Sequence, residues 1–144
     1  MIVLDTNVIS EMMRPAPSPL VISWLDAQRA ETLYLSAITI AEIRFGIACL
    51  PEGKRRDSLA GAFARTEDLF AGRVLAFDHE AGKRYANLAA SARSIGSGFP
   101  TPDGYIAAIA AANGYAVATR DVAPFEAGNI PVINPWEYGD ERDP

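Results

Sequence analysis

Cysteine, histidine and lysine are nearly missing from this chain of 144 residues, and each shortage removes a class of function. A single cysteine, Cys49, forbids an intrachain disulfide and a cysteine-rich zinc site. A single histidine, His79, leaves no imidazole cluster for a zinc hydrolase. It lies far along the chain from every motif below and reads as a surface or structural side chain. Lys54 and Lys83 are the only lysines, and mean hydropathy is +0.05, a composition that argues against disorder. No apolar run approaches the ~18 residues that a membrane span needs. Met1–Leu4 reaches an acid at Asp5, too early for the apolar core of a signal peptide. The expected setting is the cytoplasm, with no membrane contact.

What remains is ordinary globular composition, 49% hydrophobic and 22% charged. The length suits one domain, and such a chain buries roughly 70% of its unfolded surface. The net charge is −5, which opposes non-specific binding of nucleic acid because phosphate is repelled. That objection weakens if several carboxylates share one pocket with a divalent metal.

Short apolar runs alternate with helical patterns. Strands are expected at Met1–Leu4, Thr32–Ser36, Arg73–Phe77, Tyr115–Thr119 and Ile130–Ile133. Between them the spacing predicts helices over Val8–Met13, Leu20–Arg29, Thr39–Leu50, residues 54–71, Glu80–Ser94 and from Asp103 to Asn113, with Gly114 as the cap. Prolines 15, 17 and 19 break the chain after Arg14. The helix over Thr39–Leu50 is apolar almost all round, and Trp24, Phe45, Leu69 and Trp136 read as core. The alternation predicts an α/β fold: a three-layer α/β/α sandwich around a mostly parallel sheet. In such folds ligands bind beyond the carboxyl ends of the strands.

Four carboxylates fall at such places: Asp5, Glu42, Asp103 and Asp121. Each has a plain structural reading. Asp5 and Asp121 follow strands, where an aspartate often serves a turn or a helix cap. Asp103 near a helix start offsets the macrodipole. Glu42 has apolar neighbours on both sides, so it needs a partner, either a distant arginine or a shared ion. Together the four suggest a shared purpose, because converging like charges persist only around something positive. Hard oxygen ligands suit Mg²⁺ or Mn²⁺. Neutral groups beside the acids, Thr6, Asn7, Ser10, Thr39 and Thr119, are candidates to orient carboxylates or waters. Arg14, Arg44, Arg120 and the run Lys54-Arg55-Arg56 are candidates to guide a phosphate backbone. No side chain stands out as a general base.

LDTNVISE at 4–11, Thr39-x-x-Glu42, PDGYIAAIAAANGYAVATRD at 102–121 and INPW at 133–136 occur in this order. With them the chain resembles a PIN domain from Met1 to Trp136, and more narrowly the VapC-type toxins of toxin–antitoxin pairs, in their FitB-like branch. The resemblance implies a domain over 1–136 and an acidic, frayed tail over 137–144. It implies a metal-dependent endoribonuclease whose acids are Asp5, Glu42, Asp103 and Asp121, with Asp5 and Asp103 as the primary Mg²⁺ (or Mn²⁺) ligands. Many members carry Asn after Thr-Arg and a further Asp three residues on; here Asp121 takes the first position and Pro124 the second. Arg120 then adjoins the site. The implied partners are RNA as substrate, a cognate VapB-type antitoxin, a second copy in a homodimer, and promoter DNA bound through the antitoxin.

Other phosphate chemistries lack their residues. A dehalogenase-type phosphatase wants Asp-x-Asp after the first strand, where this chain has Asn7. A receiver domain wants a paired acid there and a late lysine; no lysine follows Lys83. The Walker motif and the G-x-S-x-G elbow are absent. The remaining alternative is a non-catalytic PIN-like module that binds protein or nucleic acid.

Overall fold

The computed structural model describes residues 1–96 and 98–139. The part of the expected tail from 140 onward lies outside them. Five strands, β1 (Ile2–Leu4), β2 (Leu33–Ser36), β3 (Val74–Leu75), β4 (Ala116–Ala118) and β5 (Val132–Ile133), form one sheet in the order β3-β2-β1-β4-β5. Every pairing is parallel, with Val3 opposite both Tyr34 and Val117. The helices are α1 (Thr6–Met12), α2 (Pro19–Ala27), α3 (Ala37–Ala48), α4 (Lys54–Leu69), α5 (His79–Ser94), α6 (Thr101–Asn113) and α7 (Val122–Ala127). None is long and apolar enough to cross a membrane.

Strand residues alternate between two cores, as the pleat requires. Leu4, Leu33, Leu35 and Ala118 face one way, onto Val8 and Ile9 of α1, Val21 and Trp24 of α2, Ile43 of α3 and Phe63 of α4. Val3 and Val117 face the other way, onto Ile106, Ala107 and Ala110 of α6 and Phe125 of α7. Apolar residues on both faces of each strand are what a sheet sandwiched by helices needs. The three-layer α/β/α sandwich expected from the alternation is present.

Several boundaries move, each for a physical reason. α1 begins at Thr6 because Asp5 is its cap, its Oδ1 accepting the Thr6 N–H at 2.7 Å. α3 begins at Ala37 because Ser36 caps it, its Oγ accepting the Thr39 N–H at 3.1 Å. α6 begins two residues before Asp103, with Pro102 inside the first turn, where a missing N–H costs nothing. Gly114 ends α6 at φ +71°, a left-handed conformation that glycine adopts without strain. Helix α7 falls in a stretch with no predicted element. It is six residues long with Pro124 in its first turn, and Phe125 fixes it to the core.

Two expectations about burial fail. α3 is not buried all round: Phe45 is 71% exposed, and Ala41, Gly46 and Ala48 also face solvent. Leu69 at the end of α4 is 70% exposed, while its neighbour Phe70 is buried in its place. Only one stripe of each helix meets the sheet, so an apolar residue off that stripe stays outside.

The sheet order fixes where a site is possible. From β1 the chain adds β2 and β3 on one side, then crosses to add β4 and β5 on the other. The carboxyl ends of β1 and β4 therefore border a gap between outgoing connections, the switch point of an open parallel sheet. Asp5 follows β1 and Thr119 follows β4, and the Asp5 N–H donates to the Ala118 carbonyl at 2.9 Å.

Candidate functional site

A cleft of about 460 Å³ opens at this switch point. Asp5, Thr6, Asn7, Ser10, Glu11 and Arg14 line it from β1 and α1, Glu42 from α3, Asp103 from α6, and Arg120, Asp121 and Trp136 from the segments after β4 and β5. All four carboxylates singled out in the sequence thus meet in one hollow. So do Thr6, Asn7, Ser10 and Arg120. Thr39 and Thr119 lie fully buried beneath it.

Asp5 is the deepest acid, 3% exposed. Its Oδ1 accepts the Thr6 N–H, and its Oδ2 accepts the Thr119 hydroxyl at 2.8 Å. Thr119 Oγ1 in turn accepts the Asn7 side-chain amide at 3.2 Å and the Asp121 N–H at 3.0 Å. Burial pushes the Asp5 carboxyl up to about 6 from an ordinary 3.8; the two donors pull against this, and the charges of Asp103 and Glu42 add to the rise. The plain reading of Asp5 as a helix cap is correct, and it does not compete with the cleft: one oxygen caps the helix while the carboxylate still borders the hollow.

Among the described residues Glu42 meets no arginine. Its Oε1 accepts the Thr6 hydroxyl at 2.7 Å, and the distant ion pair considered for it is not found among them. Arg44, two residues on, points away and pairs with Glu67 at 2.7 Å. Beneath Glu42 the hydroxyls of Thr6 and Thr39 lie 3.0 Å apart, and Ser36 donates to Thr39 at 3.4 Å.

Asp103 and Asp121 complete the set. Among the described residues neither carboxylate accepts a hydrogen bond or joins an ion pair. Asp103 is half-buried, and its carboxyl is raised first by burial, then by the charges of Asp121 and Glu42. Asp121 precedes α7 but its side chain does not cap it.

Glu11 is a site residue that the sequence reading overlooked. It is buried, accepts the Ser18 N–H at 2.8 Å and pairs with Arg14 at 3.2 Å. The Ser18 amide is the first cause of its lowered carboxyl pKa. Its signal was its position, four residues after Asn7 and so on the same face of α1. Ser36 was also passed over, although a serine just before a helical run is a favoured N-cap. Trp136 is only half-buried and borders the cleft, with the Arg120 guanidinium 5.3 Å from its ring centroid. His79 opens α5, is exposed, and takes no part in the cleft. Of the other cations, Arg14 reaches the cleft and Arg55 an adjoining groove of about 870 Å³.

The donor set suits a hard divalent cation: carboxylates, hydroxyls and an amide, with no imidazole or thiol. Among the described residues no three acidic, histidine or cysteine side chains close on one point. Mg²⁺ does not require that, since it keeps several waters and is commonly held by one or two carboxylates plus phosphate oxygens. Burial first, and the neighbouring acids second, raise the Asp5 and Asp103 carboxyls, and a cation in the cleft would offset both.

Known proteins agree with this architecture. The family model described as "PIN domain" matches residues 2–128. The chain is similar to "VapC ribonuclease Y4jK" of Sinorhizobium fredii, 54% identical over 138 residues covering 95% of this chain and 99% of that protein. It is similar to "Toxin FitB" of Neisseria gonorrhoeae, 46% identical over 94% of this chain and 99% of the relative. It superposes on a solved FitAB structure bound to an IR36 DNA fragment with a TM-score of 0.90 at 46% identity, covering 94% of this chain and 96% of that one. With the motif order and the fold, these matches establish that the chain belongs to the PIN-domain family.

Proposed function

We propose that the chain is a metal-dependent endoribonuclease toxin that hydrolyses RNA phosphodiester bonds at the acidic cleft and is silenced by a cognate antitoxin. One observation carries the reading: carboxylates from four separate segments line one hollow at the switch point, where burial and mutual repulsion call for a positive counter-charge. The kinship with a VapC ribonuclease supports the reaction class, and that with toxin FitB supports the biological role. The FitAB structure bound to an IR36 DNA fragment supports a partner protein, and the reading makes that partner a VapB-type antitoxin through which the pair binds promoter DNA. The setting proposed for this reaction is the cytoplasm. The reading includes a homodimer, and large apolar side chains left at the surface, Phe45 and Leu69 among them, are candidates for its seam.

Asp5 and Asp103 are assigned as direct ligands of Mg²⁺ or Mn²⁺, with Glu42 and Asp121 completing the pocket. When bound, such an ion supplies Lewis acidity, polarising a phosphoryl oxygen and making water more acidic. The protein's own groups do the rest. Thr119 and the Thr6 amide hold Asp5 in one orientation, and the Thr6 hydroxyl, backed by Thr39, holds Glu42. Asn7 braces Thr119 and accepts the Arg120 N–H at 3.4 Å. Arg120 offers its guanidinium to a phosphate. No histidine, lysine or cysteine lines the cleft, so the proton of the attacking water passes to a carboxylate oxygen.

The test is incubation of the purified chain with labelled RNA in Mg²⁺, Mn²⁺ or EDTA, then with the partner protein added. Cleavage is expected with either metal, and its loss is expected with EDTA or with the partner. Cutting that persists undiminished in EDTA contradicts the proposal.

A further inference from the structure

The cleft carries five carboxylates, Asp5, Glu11, Glu42, Asp103 and Asp121, yet the Arg120 guanidinium at its lip closes no ion pair among the described residues, although its charge reaches Glu11 and helps lower that carboxyl. It lies instead over the indole of Trp136, 5.3 Å from the ring centroid. We infer that Trp136 is a positioning residue: its ring holds Arg120 off the neighbouring acids and presents the guanidinium to a backbone phosphate of single-stranded RNA. The inference rests on the ribonuclease reading and assigns to that site a substrate-holding pair.

The pairing is built by strand register. The Thr119 N–H donates to the Ile133 carbonyl at 2.9 Å, so the segments after β4 and β5 leave the sheet side by side. Arg120 follows Thr119 directly. Trp136 follows Ile133 after Asn134 and Pro135, in a 3-10 turn over Pro135–Glu137. Asn134 fixes that turn, its Oδ1 accepting the Trp136 N–H at 3.0 Å. The indole packs on the core that holds Trp24 and Leu4, which anchors the ring. Arg120 is tethered at its other end by its own N–H to Asn7.

The energetics favour this arrangement only narrowly, which is useful in a binding group. An exposed ion pair and an exposed cation–π contact are both weak and of similar strength. The indole therefore matches what a nearby carboxylate offers. A guanidinium lying on a ring keeps its in-plane N–H donors free, and those donors fit phosphate oxygens in pairs. Lysine in this place would keep the charge but lose both the stacking and the fork.

The experiment is steady-state cleavage of a fluorescently labelled, single-stranded RNA pool of random sequence at several salt concentrations, with melting temperature measured alongside. Wild type is compared with Arg120→Gln, Arg120→Lys, Trp136→Leu, Trp136→Phe and the Arg120→Gln/Trp136→Leu double variant. Arg120→Gln should raise KM about tenfold and lower the salt slope by about one. Trp136→Leu should raise KM about threefold while moving kcat less, and Trp136→Phe, which keeps an aromatic face, should restore most of that. In the Arg120→Gln background, Trp136→Leu should add nothing to KM, because the indole acts through the arginine. Independent, multiplying effects in the double variant overturn the inference. If Trp136→Leu fails to fold, Arg120→Lys decides, since Arg120 is exposed: a wild-type KM there overturns the inference, and a KM raised nearly as in Arg120→Gln supports it. A wild type that shows no metal-dependent cleavage removes the ribonuclease reading and the inference together, whereas a cutting wild type with an unmoved KM in Arg120→Gln removes the inference alone.

Discussion

Thr6 donates its hydroxyl proton to Glu42 across 2.7 Å. A hydroxyl has one proton, so the 3.0 Å contact between Thr6 and Thr39 runs the other way, with Thr39 donating to Thr6. Ser36 donates to Thr39 in turn, and three hydroxyls form a directed chain that ends on one carboxylate. The chain joins the start of α1 to the start of α3 beneath the cleft. It answers how a carboxylate among apolar neighbours is tolerated without an arginine.

The isosteric change Thr6→Val breaks this chain at its last link and leaves both Glu42 and Thr39 short of a partner. Hydrogen bonds to charged groups contribute about 1.5–3 kcal/mol, so the variant should lose about that much stability. Urea denaturation reads it directly. A loss below half a kcal/mol, on the order of noise for surface changes, would show that water replaces the threonine at no cost.

Asp5 gives the metal-free protein a distinctive pH response. Its carboxyl ionises near 6 in the fold against 3.8 ordinarily, so the folded state holds the proton more tightly than the unfolded chain does. The stability Asp5 contributes is therefore fully present below about 4 and is lost as pH rises through about 6. The difference is on the order of 3 kcal/mol. Asp103, raised in the same direction, adds to it. Melting curves between these limits should show wild type gaining stability relative to Asp5→Asn as pH falls. Parallel curves for the two proteins would contradict the account of Asp5.

A divalent cation should offset the burial and the neighbouring charges that disfavour the ionised carboxylates. Millimolar Mg²⁺ or Mn²⁺ is expected to raise the melting temperature at neutral pH through binding linkage. Asp103→Ala removes one assigned ligand and should abolish the rise. Scanning calorimetry with and without metal tests this, and an unmoved wild-type transition counts against the cation site.

The C-terminal side of the cleft depends on α7, which Phe125 pins to the core with no exposed surface. Phe125→Ala should cost about 3–5 kcal/mol, the range for large cavities in a packed core. The expected result is an early unfolding midpoint with an unchanged denaturant slope.

The strands were legible in the sequence because both faces of the sheet are covered, which writes them as short unbroken apolar runs such as Ile2–Leu4 and Ala116–Ala118. The four acids were legible from their places at strand ends and in helices and from the motif order; taken alone, only Glu42 lacked an easy structural role, among its apolar neighbours. Helix α7 was not, since six residues with an internal proline carry too little periodicity to register. The exposure of Phe45 was hidden for another reason: α3 is apolar on most sides, and only its docking angle on the sheet decides which side faces out. Glu11 was masked by its ordinary neighbours, because its partner, the Ser18 amide, is a backbone group with no sequence signature. The pairing of Arg120 with Trp136 depends on the register of β4 against β5, a long-range fact that local pattern does not encode.

The central claim is that the acids meeting around Asp5 cut RNA with the help of a divalent ion. Purified wild type and Asp5→Asn should be incubated side by side with labelled RNA in Mg²⁺, in Mn²⁺ and in EDTA. Asp5→Asn keeps the shape and removes one charge and one ligand. Metal-dependent fragments from wild type and none from the variant are the predicted result. Fragments of equal yield from both proteins would contradict it.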